Sequence, residues 1–296
     1  MTSLRARLVN LYLRAVMKPK RLDEMAPVAL RAFTERAVIP LLPKGVARER
    51  VDGALKGEWQ RPARAARTIL YLHGGGYVFG SPRTHRTLTY PLALAAEANV
   101  FSLDYRLAPE HPCPAAIEDA LAAYDFLLGL HAPEKIVIAG DSAGGGLALA
   151  ALVALKERGA PLPAGAILYS PWTDLTVSGE TMAANARSDA MFNRASIEGG
   201  RWKYLGRLDP KDPRASPLYA DLGGLPPLLV FASRSEMLFD DSRRLVEKAK
   251  AAGLHVDFVA ADNLVHVWPL FHPFLPEARE ALMRSGECIR TRTLRA

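Results

Sequence analysis

A serine stands at the centre of the pentapeptide Gly140-Asp141-Ser142-Ala143-Gly144. The pattern G-x-S-x-G is typical of a nucleophilic serine held on a tight turn between a strand and a helix. A short run of β-branched and apolar residues, 135–139, precedes the motif, and a stretch with helical periodicity, 144–158, follows it. Because both flanks fit this context, the sequence predicts that Ser142 is a nucleophile suited to acyl transfer.

The serine needs a base, and a histidine late in the chain is the candidate. A hydroxyl is a weak nucleophile near neutral pH, so a base must take its proton and a third group must orient that base. In chains with this turn the order is serine, acid, histidine. His255 starts an alternating strand pattern, whereas His266 lies in the loop after that strand. We therefore predict His266 as the base, with His272 as the reserve candidate.

The orienting acid is expected in the loop 233–241, which follows the strand predicted at 227–232. Glu236 is the carboxylate nearest the end of that strand. Asp240 suits the N-cap of the next helix, and Asp241 suits its first turn. We predict Glu236 as the acid and keep Asp240 as the alternative.

Acyl transfer also needs hydrogen-bond donors for the negative charge that develops on the carbonyl oxygen. The segment His73-Gly74-Gly75-Gly76-Tyr77 follows the first strong strand pattern. A triple-glycine loop of this kind supplies backbone N–H groups beside the residue that follows the nucleophile. We predict Gly75, Gly76 and Ala143 as the donors, while His73 and Gly74 shape the loop.

A dinucleotide-binding unit is the rival interpretation of the same glycine loop. The positions Gly74, Gly76 and Phe79 do not fit G-x-G-x-x-G. Asp104 lies about 30 residues further on, where such a unit has its acidic residue at about 20. We therefore expect no nucleotide cofactor, and the predicted chemistry requires neither a metal nor an organic cofactor.

The elements that must hold these residues alternate along the chain. Short β-branched runs alternate with helix-period stretches, and this rhythm is typical of a mainly parallel sheet covered by helices on both faces. The sequence thus predicts an α/β fold. The predicted strands cover 68–72, 99–104, 135–139, 164–169, 227–232 and 255–260, and the predicted helices cover 114–130, 144–158 and 240–252.

Two segments break this rhythm, 1–45 and 172–215, and we predict that they form a helical cap on a core made of 46–171 and 216–296. The inserted segment is too rich in large apolar side chains for a disordered loop. Together with Tyr77, these side chains are candidates for the walls of an apolar substrate pocket, although each would also suit an ordinary core. The pocket candidates are Tyr77, Trp172, Met191, Phe192, Trp202 and Tyr204.

The formal net charge of +7 at pH 7 comes from one end of the chain. Residues 1–50 hold 11 Lys and Arg against 4 Asp and Glu, so the remainder holds 27 of each. No Lys- and Arg-rich run with interleaved aromatic residues is present, which argues against a nucleic-acid partner. Cys113 and Cys288 are far apart in sequence, so we expect free thiols rather than a disulfide framework or a metal cluster.

The segment 3–17 has the pattern of a basic amphipathic helix. Such a helix can lie on an anionic membrane surface. We expect it to pack on its own protein and keep membrane contact as the alternative. No apolar run approaches ~18 residues and no signal-peptide pattern is present, so the expected location is the cytoplasm. The apolar positions are Leu4, Leu8, Leu11, Leu13 and Val16, among Arg5, Arg7 and Arg14.

Taken in order, these motifs resemble those of the hormone-sensitive lipase family of α/β-hydrolases, the bacterial family IV esterases. The resemblance covers about residues 66–275 and also rests on Asp104-Tyr105-Arg106-Leu107-Ala108-Pro109-Glu110, the loop 236–241 and His266-Val267-Trp268. It implies a serine, acid and histidine triad, an oxyanion hole, and a helical cap made from the N-terminal segment and an insertion. It also implies that 104–110 is structural and holds neighbouring loops. The family usually has Asp where this chain has Glu236.

The resemblance further implies a carboxylesterase that hydrolyses small or short-chain esters through an acyl-enzyme. A lactone hydrolase with the same triad is the alternative, and a non-catalytic relative that binds a small molecule is a further one. Because Ser142 and His266 are both present, catalysis is favoured over binding alone. The sequence leaves the oligomeric state open, a homodimer included.

Overall fold

An eight-stranded sheet is the centre of the computed structural model, which describes residues 2–20, 23–38 and 45–294. The strands are β1 Val46–Asp52, β2 Lys56–Pro62, β3 Arg67–Leu72, β4 Ala98–Leu103, β5 Ile136–Asp141, β6 Gly165–Tyr169, β7 Leu228–Ser233 and β8 Val256–Ala261. Their order across the sheet is β1-β2-β4-β3-β5-β6-β7-β8. The pairs β1 with β2 and β2 with β4 are antiparallel, and the remaining pairs are parallel.

Helices cover both faces of this sheet. In the described residues they are α1 Leu4–Val16, α2 Pro27–Arg36, α3 Arg86–Ala96, α4 Ala115–Leu128, α5 Ala143–Glu157, α6 Thr181–Ala184, α7 Arg194–Leu205, α8 Phe239–Ala251 and α9 Pro276–Leu294. Because side chains alternate along a strand, Leu70 and Leu72 of β3 join one core with α4, α5 and α8. Ile69 and Tyr71 join a second core with α3 and α9. Burial on both faces explains the nearly continuous apolar sequence of β3 and β5 to β7.

The predicted α/β fold with a mainly parallel sheet is confirmed. The six predicted strands and three predicted helices are all present, and their ends differ from the predicted ones by at most two residues. The hairpin of β1 and β2 was not predicted. The edge strand β1 has mostly exposed side chains, and many of them are charged. It therefore lacks the alternation of apolar and polar residues by which a strand is predicted.

Two helical segments lie outside the sheet, at the places where the rhythm of the sequence breaks. The first contains α1 and α2, and the second, between β6 and β7, contains α6 and α7. They contact each other: Nζ of Lys18 donates to the carbonyl oxygen of Asp189 at 2.6 Å, and a Cβ on Gly199 would lie 3.0 Å from Cβ of Asp23. A cap built from both segments, with the boundaries 1–45 and 172–215, stays a prediction, and residues 1, 21–22 and 39–44 of it lie outside the described residues.

The helix predicted at 3–17 is α1, and only one of its faces is packed. Ala6 and Leu13 are buried, whereas Leu4, Leu8 and Leu11 are all more than half exposed. The helix thus packs on its own protein through one face, as expected, and contact of its exposed face with a membrane stays a prediction. In the part of the chain that the structure describes, none of the helices combines the length and apolar character that a membrane span requires.

Candidate active site

Ser142 lies on a sharp turn where β5 ends and α5 begins. Its backbone is at φ 52° and ψ −122°, a conformation that residues other than glycine rarely adopt. The turn is so tight that a Cβ on Gly140 would lie 2.3 Å from the carbonyl oxygen of Gly144, and one on Gly144 would lie 2.1 Å from that of Leu72. Only glycine fits both positions, which explains the spacing of the G-x-S-x-G motif.

Backbone hydrogen bonds bring together the loops that follow β5, β6, β7 and β8. Just beyond the strand ends, the N–H of Ser142 donates to the carbonyl oxygen of Tyr169 at 2.8 Å, and that of Ser170 donates to Phe231 at 2.7 Å. The N–H of Arg234 donates to the carbonyl oxygen of Ala261 at 2.8 Å. The hydroxyl of Ser170 then accepts the N–H of Val267 at 3.2 Å. Four separate loops thus meet at the carboxyl edge of the sheet, where open α/β sheets bind their ligands.

His266 is held by Glu236. Its Nδ1 lies 2.6 Å from Oε2 of Glu236, and Oε1 of the same carboxylate accepts the N–H of Ser233 at 3.0 Å. Both side chains are buried, 3% and 1% exposed. The carboxylate fixes a proton on Nδ1. Nε2 makes no hydrogen bond to any residue that the structure describes, so this nitrogen can accept a proton.

The pKa of His266 lies above its ordinary value of 6.5. Burial by itself would lower this pKa, because the imidazolium ion loses its hydration. The charge and the hydrogen bond of Glu236 outweigh burial, and the carboxylates of Asp189 and Asp141 act in the same direction. A raised pKa stabilises the imidazolium that forms when the histidine takes a proton from a nucleophile.

Asp189 connects the segment that contains Met191 and Phe192 to the loop that carries the acid. Its Oδ1 accepts the N–H groups of Met191 and Phe192 at 2.8 and 3.0 Å, and its Oδ2 accepts the N–H of Met237 at 2.9 Å. The ring of Phe192 meets that of His266 edge-on, with centroids 5.1 Å apart. The sequence did not identify Asp189, because a single acid in an irregular segment forms no pattern.

The triple-glycine loop presents N–H groups that are free to bind a ligand. Gly75 and Gly76 have φ values of 122° and 58°, and the carbonyl oxygen of Gly75 accepts the N–H groups of Val78 and Phe79 at 3.0 Å each. The N–H groups of Gly75, Gly76 and Ala143 donate to none of the described residues. That of Ala143 belongs to the first turn of α5, where backbone donors have no partner within the helix. These are the three donors that the sequence predicts for an oxyanion hole.

His73 and Gly74 act as supports of this loop. The ring of His73 stacks on Tyr105 with centroids 4.2 Å apart, and burial, with the nearby His85, lowers its pKa to about 3. His73 is therefore neutral and is no rival base at neutral pH. A Cβ on Gly74 would lie 2.2 Å from Oδ2 of Asp141, so this position also excludes a side chain.

Asp141, directly before the nucleophile, fastens the triple-glycine loop to β5. Its Oδ1 accepts the hydroxyl of Tyr71 at 2.6 Å and the N–H of Gly74 at 3.0 Å, and its Oδ2 lies 3.3 Å from Nε2 of His85. Burial would raise the pKa of Asp141, but His85 and then Tyr71 lower it below its usual range. Sequence reasoning missed this network because Asp141 occupies a variable position of the serine motif and no pattern identifies His85.

Three of the predicted pocket residues, Tyr77, Trp172 and Tyr204, form one buried aromatic cluster beside the triple-glycine loop. The rings of Tyr77 and Tyr204 stack with centroids 3.6 Å apart, and Trp172 lies 6.2 Å from Tyr77. Helix α7 approaches them through Gly200, where a Cβ would lie 3.5 Å from the carbonyl oxygen of Gly76. The cluster thus packs the inserted segment directly onto the triple-glycine loop.

Trp202 lies outside this cluster, contrary to its prediction as a pocket wall. Its side chain is 55% exposed, and its ring stacks with the guanidinium of Arg201 at 4.3 Å. On a helix, position 202 lies opposite position 200, whereas Tyr204 returns to the inner face. Met191 is partly buried and packs against the second core. The pocket roles of Met191, Phe192 and the cluster stay predictions.

Asp240, the alternative acid, is engaged elsewhere. Its Oδ1 pairs with Nε of Arg243 at 2.8 Å, and its Oδ2 accepts the N–H of Thr181 at 3.0 Å. The predicted N-cap position is wrong as well, because the N-cap of α8 is Leu238 and Asp240 lies in the first turn. An acid in the first turn still compensates the partial positive charge of the helix end. The geometry favours Glu236.

Among the described residues, the other two late histidines form no hydrogen bond or ion pair with Glu236, which pairs with His266. The side chain of His255 is 69% exposed and lies 3.5 Å from Asp257. His272 follows the short 3-10 helix Trp268–Phe271, and burial lowers its pKa, which makes it a weaker base.

The segment 104–110 has the contacts of a structural brace. Arg106 bonds Asp119 at 2.9 Å through Nε, and Glu110 bonds Arg31 of α2 at 2.6 Å. Nε of Arg31 also donates to the carbonyl oxygen of Val78 at 2.8 Å. These contacts tie the N-terminal segment to the end of the triple-glycine loop, in line with the role that the resemblance implies.

The described ranges 2–20, 23–38 and 45–294 hold no group of three or more His, Cys, Asp or Glu side chains that could bind a metal ion. Cys113 and Cys288 are both free. Burial raises the pKa of Cys113 to about 11, so this thiol stays protonated at neutral pH.

The chain is similar to known proteins along nearly its whole length. A family model described as alpha/beta hydrolase fold matches residues 69–270. An acetyl-hydrolase of Streptomyces hygroscopicus is 46% identical over 243 residues, which cover 81% of this chain and 81% of that protein. A crystal structure of EstE5 soaked with ethyl alcohol has a TM-score of 0.95 at 41% identity, with 99% of each chain covered. That of an esterase from the bacterial hormone-sensitive lipase family has a TM-score of 0.92 at 43% identity, again with 99% of each chain covered. The chain therefore belongs to the α/β-hydrolases and, among them, to the bacterial hormone-sensitive lipase family.

Proposed function

We propose that this chain is a serine carboxylesterase that hydrolyses small or short-chain carboxylic esters. The observation that carries the proposal is the state of His266, whose Nδ1 is held by Glu236 while Nε2 has no partner among the described residues. Ser142 follows β5 at the same edge of the sheet. A nucleophile, a base and an orienting acid are the parts that acyl transfer requires.

In the first half of the reaction the ester becomes an acyl-enzyme. Oγ of Ser142 attacks the carbonyl carbon, and its proton moves to Nε2 of His266. The tetrahedral intermediate collapses, the bond from carbon to the alkoxy oxygen breaks, and His266 returns the proton to the departing alcohol. Glu236 keeps the ring oriented and stabilises the imidazolium without taking the proton itself.

In the second half water releases the acid. His266 takes a proton from water, whose oxygen bonds to the acyl carbon. The bond to Oγ of Ser142 then breaks, and the proton on Nε2 returns to the serine. The net reaction consumes one ester and one water and yields one carboxylic acid and one alcohol.

The free N–H groups of Gly75, Gly76 and Ala143 support a role as donors to the oxyanion in both halves. Donors that are already aligned stabilise negative charge at little cost in reorganisation. The network of Asp141 supports this role, because it holds Gly74, the residue next to the first donor.

Short acyl groups are the substrate class that we infer for this site. The buried rings of Tyr77, Trp172 and Tyr204 pack against one another, and helix α7 reaches the triple-glycine loop through Gly200; large, closely packed side chains beside the loop favour a small acyl group. The Streptomyces relative is named an acetyl-hydrolase, which supports the same substrate class.

Rates on the p-nitrophenyl esters of acetate, butyrate, octanoate and laurate, together with a lactone, test the proposal. We expect the highest kcat/KM for acetate or butyrate, and no activity above background in Ser142→Ala. Thr291→Ala, on the exposed surface of α9, is the control and should equal the wild type. Full activity in Ser142→Ala would refute the mechanism, and a preference for laurate or for the lactone would refute the substrate class.

A further inference from the structure

Helix α1 carries a row of exposed apolar side chains along its outer face. Leu4, Leu8, Leu11 and Tyr12, here called the α1 stripe, are 71%, 57%, 65% and 62% exposed. Their spacing of four, three and one residues places them on one side of the helix, since an α-helix has 3.6 residues per turn. Contiguous apolar surface of this kind marks an interaction site more often than an isolated exposed leucine does.

The helix behind the stripe is firmly seated, so the stripe is a feature of the fold. Ala6 and Leu13 on the opposite side are buried. Polar bonds anchor both ends and the middle: Ser3 to Glu277 at 2.7 Å, Asn10 to the carbonyl oxygen of Asn263 at 2.7 Å and Arg14 to that of Ser188 at 2.8 Å. Every apolar residue of the stripe nevertheless faces solvent.

Cations border the stripe on both sides. At 100° per residue, Arg7 and Arg14 lie along one border and Arg5 lies along the other. All three are exposed. The segment 1–22 contains six Lys and Arg and no Asp or Glu, so α1 itself carries no acidic group. Asp262 and Glu277, which line a surface pocket together with Arg7 and Arg14, come from other segments. Glu277 already accepts the N–H of Ser3. The result is an apolar strip between two cationic edges.

We propose that the α1 stripe docks on the surface of an anionic lipid bilayer. The helix would lie in the plane of the membrane, with the leucines at the boundary of the acyl chains and with Arg5 and Arg7 at the lipid phosphates. Helices that bind membrane interfaces combine an apolar face with flanking cations in this way. Anionic headgroups attract each basic residue near the surface and so add to the apolar contribution.

A second copy of the chain is a less suitable occupant. A symmetric contact between two α1 stripes would set Arg5, Arg7 and Arg14 of one chain against the same cations of the other. Like charges brought together in this way oppose association. A bilayer rich in phosphate groups instead pairs every cation on the border.

Sedimentation with lipid vesicles tests this proposal on the full chain. The vesicles are phosphatidylcholine alone, or phosphatidylcholine with an equal share of phosphatidylglycerol. We expect binding to the anionic vesicles at low salt, little binding to the neutral ones, and release at about 0.5 M NaCl, where charges are strongly screened. Binding to the neutral vesicles as strong as to the anionic ones would contradict the role of the cations.

Two sets of substitutions separate the contributions, and a third serves as the control. Leu4→Gln, Leu8→Gln and Leu11→Gln together should lower the vesicle partition coefficient at least about tenfold. Arg5→Gln with Arg7→Gln should lower it on the order of 20-fold. The control replaces exposed apolar residues that lie outside α1, Leu94, Leu130 and Met283, with Gln and should bind like the wild type.

Hydrolysis of a water-soluble ester and the circular dichroism spectrum should be unchanged in all three sets, which shows that the chain is folded. No binding to anionic vesicles at low salt would overturn the proposal. Equal binding by the wild type and the triple leucine variant would also overturn it. A dimer that the leucine variant abolishes, without vesicle binding, would assign the stripe to a second copy instead.

Discussion

Two buried pairs of a carboxylate and an imidazole lie near the carboxyl edge of the sheet, with the same chemical groups in different surroundings. Glu236 meets Nδ1 of His266 at 2.6 Å, and Asp141 meets Nε2 of His85 at 3.3 Å. In each pair the carboxylate raises the pKa of its histidine against the effect of burial. Charge and burial therefore do not distinguish the two pairs.

The nitrogen on the far side of each ring makes the difference. Nε2 of His266 has no partner among the described residues, whereas Nδ1 of His85 lies 2.8 Å from Oγ1 of Thr84. A ring with a free nitrogen can exchange protons with a substrate, while a ring with both nitrogens engaged can only hold its neighbours in place. We infer that His266 acts as the base and that His85 and Asp141 position the triple-glycine loop.

Replacing the free ring should have the largest effect. We expect His266→Gln to lower kcat about 10^5-fold with little change in KM, because the base acts in the transition state. Steady-state kinetics on p-nitrophenyl butyrate measures both constants. His255→Gln, at an exposed position, is the matched control. A loss smaller than about tenfold in the first variant would show that another group serves as the base.

Replacing Glu236, the acid that holds His266, should have the second largest effect on kcat. Glu236→Gln is expected to lower kcat about 10^4-fold, since it removes the charge that orients and stabilises the imidazolium. Asp240→Asn removes the alternative acid and should change kcat less than about threefold, because Asp240 bonds Arg243 and Thr181. The reverse order of the two effects in the same assay would exchange the two assignments.

Breaking the pair of Asp141 and His85 should lower the rate less than the two changes above. We expect Asp141→Asn to lower kcat about 100-fold, on the scale of one oxyanion donor, because Gly74 loses a charged partner. The acid limb of the pH profile should move to lower pH by less than it does in Glu236→Gln, since the charge of Asp141 raises the pKa of His266 less than that of Glu236 does. A shift as large as that of Glu236→Gln would mean that Asp141 acts mainly through the base, and a destabilised variant would show as a lowered Tm.

The smallest expected effect is a difference in pH dependence between the wild type and Glu236→Gln. The imidazole must be neutral to accept a proton, so kcat/KM should fall as the pH drops through the pKa of His266, which lies above 6.5. In Glu236→Gln burial remains but the charge is gone, so the midpoint should move to lower pH. Profiles of both enzymes between about pH 5 and 9 check this. A midpoint that does not move would contradict the role of Glu236.

Much of the fold follows from local patterns in the sequence. The β-branched runs and helix periods correspond to elements that are present, and the α/β-hydrolase fold, the family and the class of ester hydrolase are confirmed. The strand β1 was missed because its side chains face solvent and carry charge. Strands are recognised in a sequence by alternating apolar residues, which face the core, and an exposed edge strand has few of them.

The site is only partly visible in the sequence, for a physical reason. Ser142 and the glycines around it form a local motif, because one turn imposes all of their constraints. Asp141, His85 and Asp189 act through contacts that the packing of distant segments creates, and no spacing records them. Trp202 was predicted to line the pocket because it is a large apolar residue in a cap segment, but its exposure shows that such a residue need not face inward. The roles of individual site residues stay predictions.

Covalent labelling tests the central claim most directly. The wild-type chain is treated with diisopropyl fluorophosphate, which phosphorylates an activated serine, and the modified peptide is located by mass spectrometry. Our account predicts one modification, on Ser142, and a rate of labelling that falls by several orders of magnitude in His266→Gln but not in His255→Gln. Labelling at another serine, or equal rates in the wild type and His266→Gln, would contradict it.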